Sequence, residues 1–145
     1  MSFWEDTARV PLIISAPGFA STAGSRSEGI VELIDLYPTL ADLCGLADRA
    51  PGLLQGRSLV PLLKEPSLKT WEPNERGAYT VMGKAAGSVR TDRWRYNRWD
   101  ENSEALYDHR SDPDEFTNLV NDPAHQKTLE AMRALLESRR EGSLN

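Results

Sequence analysis

Apolar residues occur in a few short runs, separated by polar stretches that contain glycine and proline. The run Val10–Ser15, VPLIIS, is rich in branched side chains and stops at a Pro-Gly pair, which predicts a strand buried on both faces. Farther along, Asp35 is placed to cap a helix, Pro38 is tolerated in its first turn, and Gly45 is placed to end it. The first third of the chain therefore predicts one strand followed by one helix.

The next apolar runs have strand-like composition. Residues 77–81 and 88–99 both have strand-like composition, and the imperfect apolar period leaves the strand boundaries within them open. Residues 100–103 form a polar turn before Ala105-Leu106-Tyr107, which predicts an antiparallel hairpin at this place. A short helix with Ser58 as a possible cap is predicted upstream of these strands.

The chain closes with a strong helix signal. Asp122 followed by Pro123 is typical of a helix start, with the cap first and proline in the first turn. Apolar residues then recur at helical spacing at Leu129, Met132, Leu135 and Leu136. We expect this apolar stripe to pack on the small antiparallel sheet.

A proline-containing stretch of mixed charge, Lys64 to Arg76, separates the two halves and carries Trp71 as a single aromatic anchor. We place the boundary there, with one part over residues 1–70 and a C-terminal antiparallel-sheet subdomain over 71–145. The predicted class is α/β, or α+β for these residues taken alone. At 145 residues the chain is long enough to bury a core.

Charge and composition exclude some function classes. The net charge of −5 and the mixture of both signs argue against nucleic-acid binding. No apolar stretch approaches membrane-spanning length, and the first residues contain no export signal. The single cysteine, Cys44, excludes a disulfide within the chain and is expected to be a buried structural thiol.

Arginines and aromatics interleave between Ser88 and Trp99. Two interpretations remain open: an exposed face that binds an anionic sugar, or arginine stems that cover a sheet whose aromatics fill the core. The members of this arginine–aromatic run are Arg90, Arg93, Trp94, Arg95, Tyr96, Arg98 and Trp99.

An acidic cluster lies between Asp108 and Glu115. Calcium loops alternate oxygen ligands around a central glycine, whereas here Pro113 interrupts the run, so a turn capped by Asp112 is the favoured interpretation. We expect Phe116 and Leu119, which follow the turn, to pack back onto the core. His109 and His125 have no second histidine at ligand spacing and are interpreted as surface or turn residues.

The amino-acid sequence of this region resembles that of a known family. Residues 106–120, LYDHRSDPDEFTNLV, resemble the closing signature of type I sulfatases, and most closely the iduronate-2-sulfatase-like branch. Four further phrases fit the family in order and spacing: residues 8–14, 33–40, 56–59 and 89–96. Five phrases in order are a specific match that covers nearly the whole chain.

The resemblance implies an alkaline-phosphatase-like architecture, in which the first part of the chain closes a large α/β domain and the remainder forms a small sheet with a terminal helix. Relatives carry a formylglycine in a Cys/Ser-x-Pro-x-Arg motif and a calcium ion, and both are expected in a portion that precedes these residues. Cys44 continues as Gly-Leu-Ala-Asp, so it lacks the proline and arginine of that motif. We therefore expect no catalytic residue and no metal ligand in this chain. Lys84 is the one candidate for binding substrate, because it lies in a loop that approaches the cleft in the family.

Three functional hypotheses follow. The first is the C-terminal part of a sulfatase acting on a sulfated carbohydrate such as a glycosaminoglycan, with these residues inactive alone. The second is a noncatalytic module that binds anionic glycans, and the third is part of a related phosphoesterase. The expected partner is the missing N-terminal sulfatase portion, or a second copy bound through the exposed Val10–Ser15 strand. An exported location follows from family analogy alone, so the compartment stays undecided.

Overall fold

The computed structural model describes residues 2–68, 76–83 and 85–142. Their contacts form two compact units. The first, called the sheet unit, comprises Met1–Pro11 and Arg76–Asn145, and the second, called the helical unit, comprises Leu12–Glu75. The division into parts 1–70 and 71–145 concerns a larger parent architecture and stays a prediction.

The sheet unit contains a four-stranded antiparallel meander in the order β1-β2-β3-β4. The strands are β1 (Ala78–Met82), β2 (Ala86–Arg90), β3 (Trp94–Arg98) and β4 (Glu104–Asp108). This arrangement confirms the predicted antiparallel sheet and the hairpin formed by β3 and β4.

The strand-like run from Ser88 to Trp99, whose boundaries the sequence left open, belongs to two strands. A turn at Thr91–Arg93 separates β2 from β3. The Thr91 amide donates to the Trp94 carbonyl at 2.8 Å, and the Thr91 hydroxyl oxygen accepts from the Trp94 amide at 3.0 Å. A threonine side chain that bonds the backbone across a turn competes with strand pairing and interrupts the strand here. The composition of the run, which favours strands, did not indicate this interruption.

One face of the sheet is apolar and packs on the terminal helix α4 (Gln126–Gly142). The Asp122 carboxylate accepts from the Ala124 amide at 2.9 Å, which confirms the predicted helix start. The buried side chains on this face belong to one cluster, Val89, Tyr96, Leu106, Leu129, Met132 and Leu136. The predicted packing of the helical stripe on the sheet is therefore confirmed.

The opposite face of the sheet is polar and equally buried. Strand register places Ser88, Asn97 and Ala105 in one row across it and Arg90, Arg95 and Tyr107 in the next. The segment that lies against this face comes from the other end of the chain: the Phe3 ring lies 6.0 Å from Trp99, and the Trp4 ring lies 5.4 Å from Tyr107. We call residues 2–9, which include helix α1 (Glu5–Ala8), the strap.

The helical unit contains α2 (Leu36–Leu43) and α3 (Val60–Lys64), and both helices were predicted. Gly45 follows α2 with a φ of 67°, a backbone conformation that favours glycine. Asp35, predicted to cap α2, instead accepts backbone hydrogen bonds from Glu32 at 2.9 Å and Arg57 at 2.8 Å. Its carboxylate therefore ties two distant segments together.

The phrases at residues 33–40 and 56–59 are bound to each other. The Thr39 hydroxyl donates to the Asp35 carbonyl at 2.5 Å and accepts from the Leu59 amide at 2.8 Å. A Cβ atom at Gly56 would lie 2.0 Å from the Ile34 carbonyl oxygen, so this close approach requires glycine. The two phrases are therefore held together by hydrogen bonds and by a close backbone approach.

Two further expectations are not met. Residues 10–15 form no strand among the described residues, and the Ile13 side chain is 92% exposed. A strand buried on both faces needs hydrogen-bonded neighbours, and this segment has no strand beside it here. Cys44 is exposed at the end of α2 rather than buried, because the helix ends there and its apolar stripe is itself partly exposed.

Candidate functional site

The strongest concentration of interacting charges lies between the strap and the polar face of the sheet. We call it the ionic cluster, and its members are Glu5, Arg90, Arg95, His109 and Glu115. Glu5 opens helix α1, Arg90 ends β2, Arg95 is the second residue of β3, and the other two flank the turn after β4. All five belong to the sheet unit.

Arg95 is the centre of the cluster, and its side chain is only 3% exposed. Its guanidinium contacts both Glu5 and Glu115, with 2.5 Å between Arg95 Nε and Glu115 Oε1. Arg90 Nε donates to the Glu5 carboxylate at 3.3 Å. On the other side, His109 Nε2 lies 2.8 Å from Glu115 Oε1, and the Glu5 amide donates to Glu115 Oε2 at 2.9 Å.

Glu115 is brought into the cluster by an unusual backbone conformation. Its φ of 59° lies in the left-handed region, which costs a non-glycine residue about 1–2 kcal/mol. The turn before it is held by Asp112, whose carboxylate accepts from the amides of Phe116 and Thr117 at 3.1 and 2.7 Å. The capped turn was predicted from the sequence, but the burial of the Glu115 side chain by this turn was not.

The cluster shifts the pKa values of its carboxyl groups. Burial alone would raise the pKa of Glu5, but the hydrogen bond from Arg95 and the charge of Arg90 outweigh it, so the pKa is lowered. Burial would likewise raise the pKa of Glu115, and the contacts with His109, the Glu5 amide and Arg95 lower it. Burial lowers the pKa of Arg90. Both carboxyl groups are therefore ionised at neutral pH.

Three members of the cluster have the composition of a metal site. One ligand atom each from Glu5, His109 and Glu115 lie within 4.8 Å of one another. Two guanidinium groups already compensate the two carboxylates, and a divalent cation would be repelled by them. Calcium also prefers six to eight oxygen ligands, so the cluster does not fit the calcium ion expected of the parent enzyme.

The remaining carboxylates of the acidic cluster are held apart from one another. Asp108 pairs with Arg93, with 2.9 Å between Arg93 Nε and Asp108 Oδ1, and this contact lowers the Asp108 pKa. Asp112 binds backbone amides, and Asp114 is exposed. Each carboxylate thus has a structural environment of its own, which supports the turn interpretation over a shared ligand set.

The arginine–aromatic run does not form an exposed basic face. Arg90 and Arg95 belong to the ionic cluster, and Arg98 pairs with Glu137 on α4. Tyr96 is fully buried in the apolar core. These contacts favour the second of our two interpretations, in which the arginines of this run cover the sheet and Tyr96 lies in its core.

The residues after the turn divide between exposure and burial. Leu119 packs against the apolar core as expected, but Phe116 is 85% exposed, so the expectation that it packs inward is wrong. The left-handed conformation of Glu115 turns its own side chain inward, and Phe116 then points to solvent. The Asn118 side chain is hydrogen-bonded to β4, where its Oδ1 accepts from the Leu106 amide at 3.0 Å.

Lys84, the predicted substrate-binding residue, lies between the ends of β1 and β2 along the chain and outside the described residues. His109 was interpreted as a surface or turn residue, and its contact with Glu115 places it in the ionic cluster. His125 lies 3.8 Å from Asp122 at the start of the last helix. Glu5 was missed altogether, because no local pattern links a residue to partners 85 to 110 positions away.

Comparison with known proteins identifies the family. The family described as N-sulphoglucosamine sulphohydrolase, C-terminal, matches residues 2–142. The chain belongs to this family. No helix among the described residues is long and apolar enough to cross a membrane.

Individual relatives differ in what they act on. A Delta 4,5-hexuronate-2-O-sulfatase of Bacteroides thetaiotaomicron is 34% identical over 94% of this chain and 29% of its own length. A choline-sulfatase of Rhizobium meliloti is 34% identical over 92% of this chain and 26% of its own length. The chain thus spans less than a third of these relatives.

A solved structure confirms the fold. The phosphonate monoester hydrolase of Agrobacterium radiobacter has a TM-score of 0.64 and 25% identity, covering 87% of this chain and 28% of that structure. This fold therefore also occurs in a protein that is named for phosphonate esters and not for sulfate esters.

Proposed function

We propose that this chain is the C-terminal part of a sulfatase that hydrolyses sulfate esters of a sulfated carbohydrate. The match to the C-terminal sulfohydrolase family over residues 2–142 carries the proposal. The relative named as a hexuronate-2-O-sulfatase supports a carbohydrate substrate, and so does the iduronate-2-sulfatase-like wording of residues 106–120.

Within that enzyme the chain completes the fold and shapes the rim of the substrate cleft. The buried charges of the ionic cluster neutralise one another, which supports a structural role and not a catalytic one. The formylglycine and the calcium ion belong to the N-terminal portion of the parent enzyme. The nucleophile and the charge stabilisation needed for ester hydrolysis come from that portion.

The partner of this chain is that N-terminal portion. Many large apolar side chains of the helical unit are exposed, and single domains seldom leave so many uncovered. They are Leu12, Ile13, Leu33, Ile34, Tyr37, Leu40, Leu46, Leu53 and Leu54. A surface of this kind supports burial against further polypeptide.

Sedimentation velocity on the chain tests this partnership. We expect self-association that is suppressed by Ile13→Glu, because an exposed apolar surface without its partner pairs with itself. Ser21→Glu is a matched control at an exposed position of a short 3-10 helix in the same unit. A monodisperse monomer with residues 10–15 protected from hydrogen exchange would contradict the proposed partner surface.

Activity tests the function directly. The longer reading frame that contains these residues should release sulfate from a 2-O-sulfated unsaturated disaccharide, and this chain alone should not. Choline sulfate serves as a competing substrate, because one relative is named for it. Turnover of choline sulfate alone would overturn the carbohydrate assignment, and turnover by the isolated chain would overturn the structural role.

Lys84 is the residue we propose to contact the anionic substrate. In the longer enzyme, Lys84→Gln should raise KM about tenfold with kcat unchanged, the size expected for one hydrogen bond to a charged group. Lys127→Gln, on the exposed side of the last helix, is the matched control. Equal KM values for the two variants would remove Lys84 from the site.

A phosphonate ester is the second candidate substrate, since the solved structure of a phosphonate monoester hydrolase shares this fold over 87% of the chain. Parallel kcat/KM measurements on a sulfate and a phosphonate ester decide between them. A higher value for the phosphonate would assign the parent enzyme to that branch.

A further inference from the structure

The strap is attached to the sheet by unusual means. Helix α1 is a single turn of four residues and buries none of them, so it has little stability of its own. Its anchors are the Phe3 ring, which is fully buried, the Trp4 ring on Tyr107, and the carboxylate and amide of Glu5. Glu5 therefore adds ionic anchors to the two aromatic ones.

The closed arrangement leaves a buried amide without hydrogen bonds. Asn97, the fourth residue of β3, is completely buried, and neither its amide nitrogen nor its carbonyl oxygen has a hydrogen-bond partner among the described residues. It lies on the same face as Arg95, two residues away on the same strand. Exposure of this face would let water satisfy the amide, which offsets part of the cost of removing the strap.

We propose that the strap is an acid-released latch, which leaves the polar face of the sheet when Glu5 or Glu115 is protonated while the helix-covered apolar face stays folded. Protonation of either carboxylate leaves the buried Arg95 guanidinium short of negative charge. These carboxylates supply the strap's ionic anchors beside its two aromatic ones, whereas the helix-covered core is apolar, so loss of either charge weakens the strap first.

The surrounding charges set the direction of the response. Glu5 faces Arg90 of β2, Arg95 of β3, Arg9 directly after its own helix, and His109 after β4. Glu115 faces Arg95, His109 and the Glu5 amide. The pKa of neighbouring Tyr107 is raised by burial and then by the charges of Glu115 and Asp112.

The sign of the pH effect follows from the carboxyl groups. Both have pKa values below their ordinary 4.5 in the closed state. The latch is therefore fully stabilised above that pH and loses stability as the pH falls through the lowered values, by about tenfold in its closing equilibrium for each unit of pKa shift.

Hydrogen exchange of the intact chain, corrected for the intrinsic rate at each pH, tests the latch without any substitution. Between pH 7 and pH 3 we expect peptides covering residues 2–9 to lose protection at a higher pH than peptides covering 129–136 of the last helix. Simultaneous loss of protection in both regions would overturn the proposal, because the strap would then unfold only with the core.

A variant pair sharpens the test. Glu5→Gln should deprotect the strap at pH 7 by at least about tenfold and leave the last helix protected. Glu137→Gln, which removes the carboxylate paired with Arg98, is the matched control and should leave the strap protected. A strap that stays protected in Glu5→Gln would also overturn the latch.

Discussion

The two faces of the antiparallel sheet are closed by different physical means. On one face, apolar side chains of β2, β3 and β4 pack against the last helix. On the other, charged and polar side chains meet the strap, and Arg95 joins carboxylates from both ends of the chain. Burial is similar on the two faces, since Tyr96 and Asn97, neighbours on one strand, are both 0% exposed.

The difference shows that burial in this sheet does not imply hydrophobicity. The helix-covered face gains free energy from apolar area removed from water, a term that tolerates changes of shape and is insensitive to pH. The strap-covered face depends on mutual compensation of charges, so the loss of one member leaves another uncompensated. The two faces should therefore respond differently to substitution and to acid.

The largest expected effect is at Arg95. Arg95→Met should lower the free energy of unfolding by about 3–5 kcal/mol, because it leaves Glu5 and Glu115 without their shared buried cation. Urea denaturation followed by circular dichroism measures this. Arg110→Met, at an exposed arginine, is the control. An equal loss of unfolding free energy in the two variants would show that the ionic cluster stabilises the fold no more than an exposed arginine does.

Leu136 probes the apolar face. Leu136→Ala should cost about 2–5 kcal/mol through lost burial and the cavity left behind. The loss should be the same at pH 7 and pH 5, because no carboxylate is involved. A loss that grows with acidity would show that the two faces are energetically coupled. Val81→Ala, at an exposed position of β1, is the control.

A smaller effect is expected at Glu104, which joins the last helix to β4. Arg133 Nε donates to its carboxylate at 2.9 Å and lowers its pKa, while burial and this carboxylate raise the pKa of Tyr96 to about 12. Glu104→Gln should cost about 1 kcal/mol, since the pair is partly exposed. It should also lower the Tyr96 pKa, which ultraviolet titration measures. Glu101→Gln in the preceding turn is the control.

The smallest effect is expected at Phe116. Because its ring is exposed, Phe116→Ala should change the free energy of unfolding by less than about 0.5 kcal/mol. Leu119→Ala, three residues on, provides the contrast and should be clearly destabilising, since Leu119 packs on the apolar core. Equal urea midpoints for the two variants would contradict the division of this motif into an exposed and a packed residue.

Hydrophobic periodicity predicted the apolar face of the sheet, but it could not predict the ionic contacts on the polar face. Leu129, Met132 and Leu136 repeat at helical spacing, and a repeat of this kind is visible without any knowledge of partners. Glu115 has an ordinary neighbourhood in sequence, and only its left-handed backbone turns it inward. A positive φ at a glutamate has no sequence signal comparable to glycine.

The sequence alone determined the family, the antiparallel hairpin, the capped turn at Asp112 and the terminal helix, because these depend on local motifs and short-range periodicity. The tertiary structure alone decided that Glu5, Arg95 and Glu115 meet, that Phe116 is exposed, and that residues 10–15 form no strand here. Charge pairing between distant residues and strand pairing with a neighbour are both nonlocal. Neither can be predicted from the sequence pattern of one segment, because the partner lies far away in the sequence.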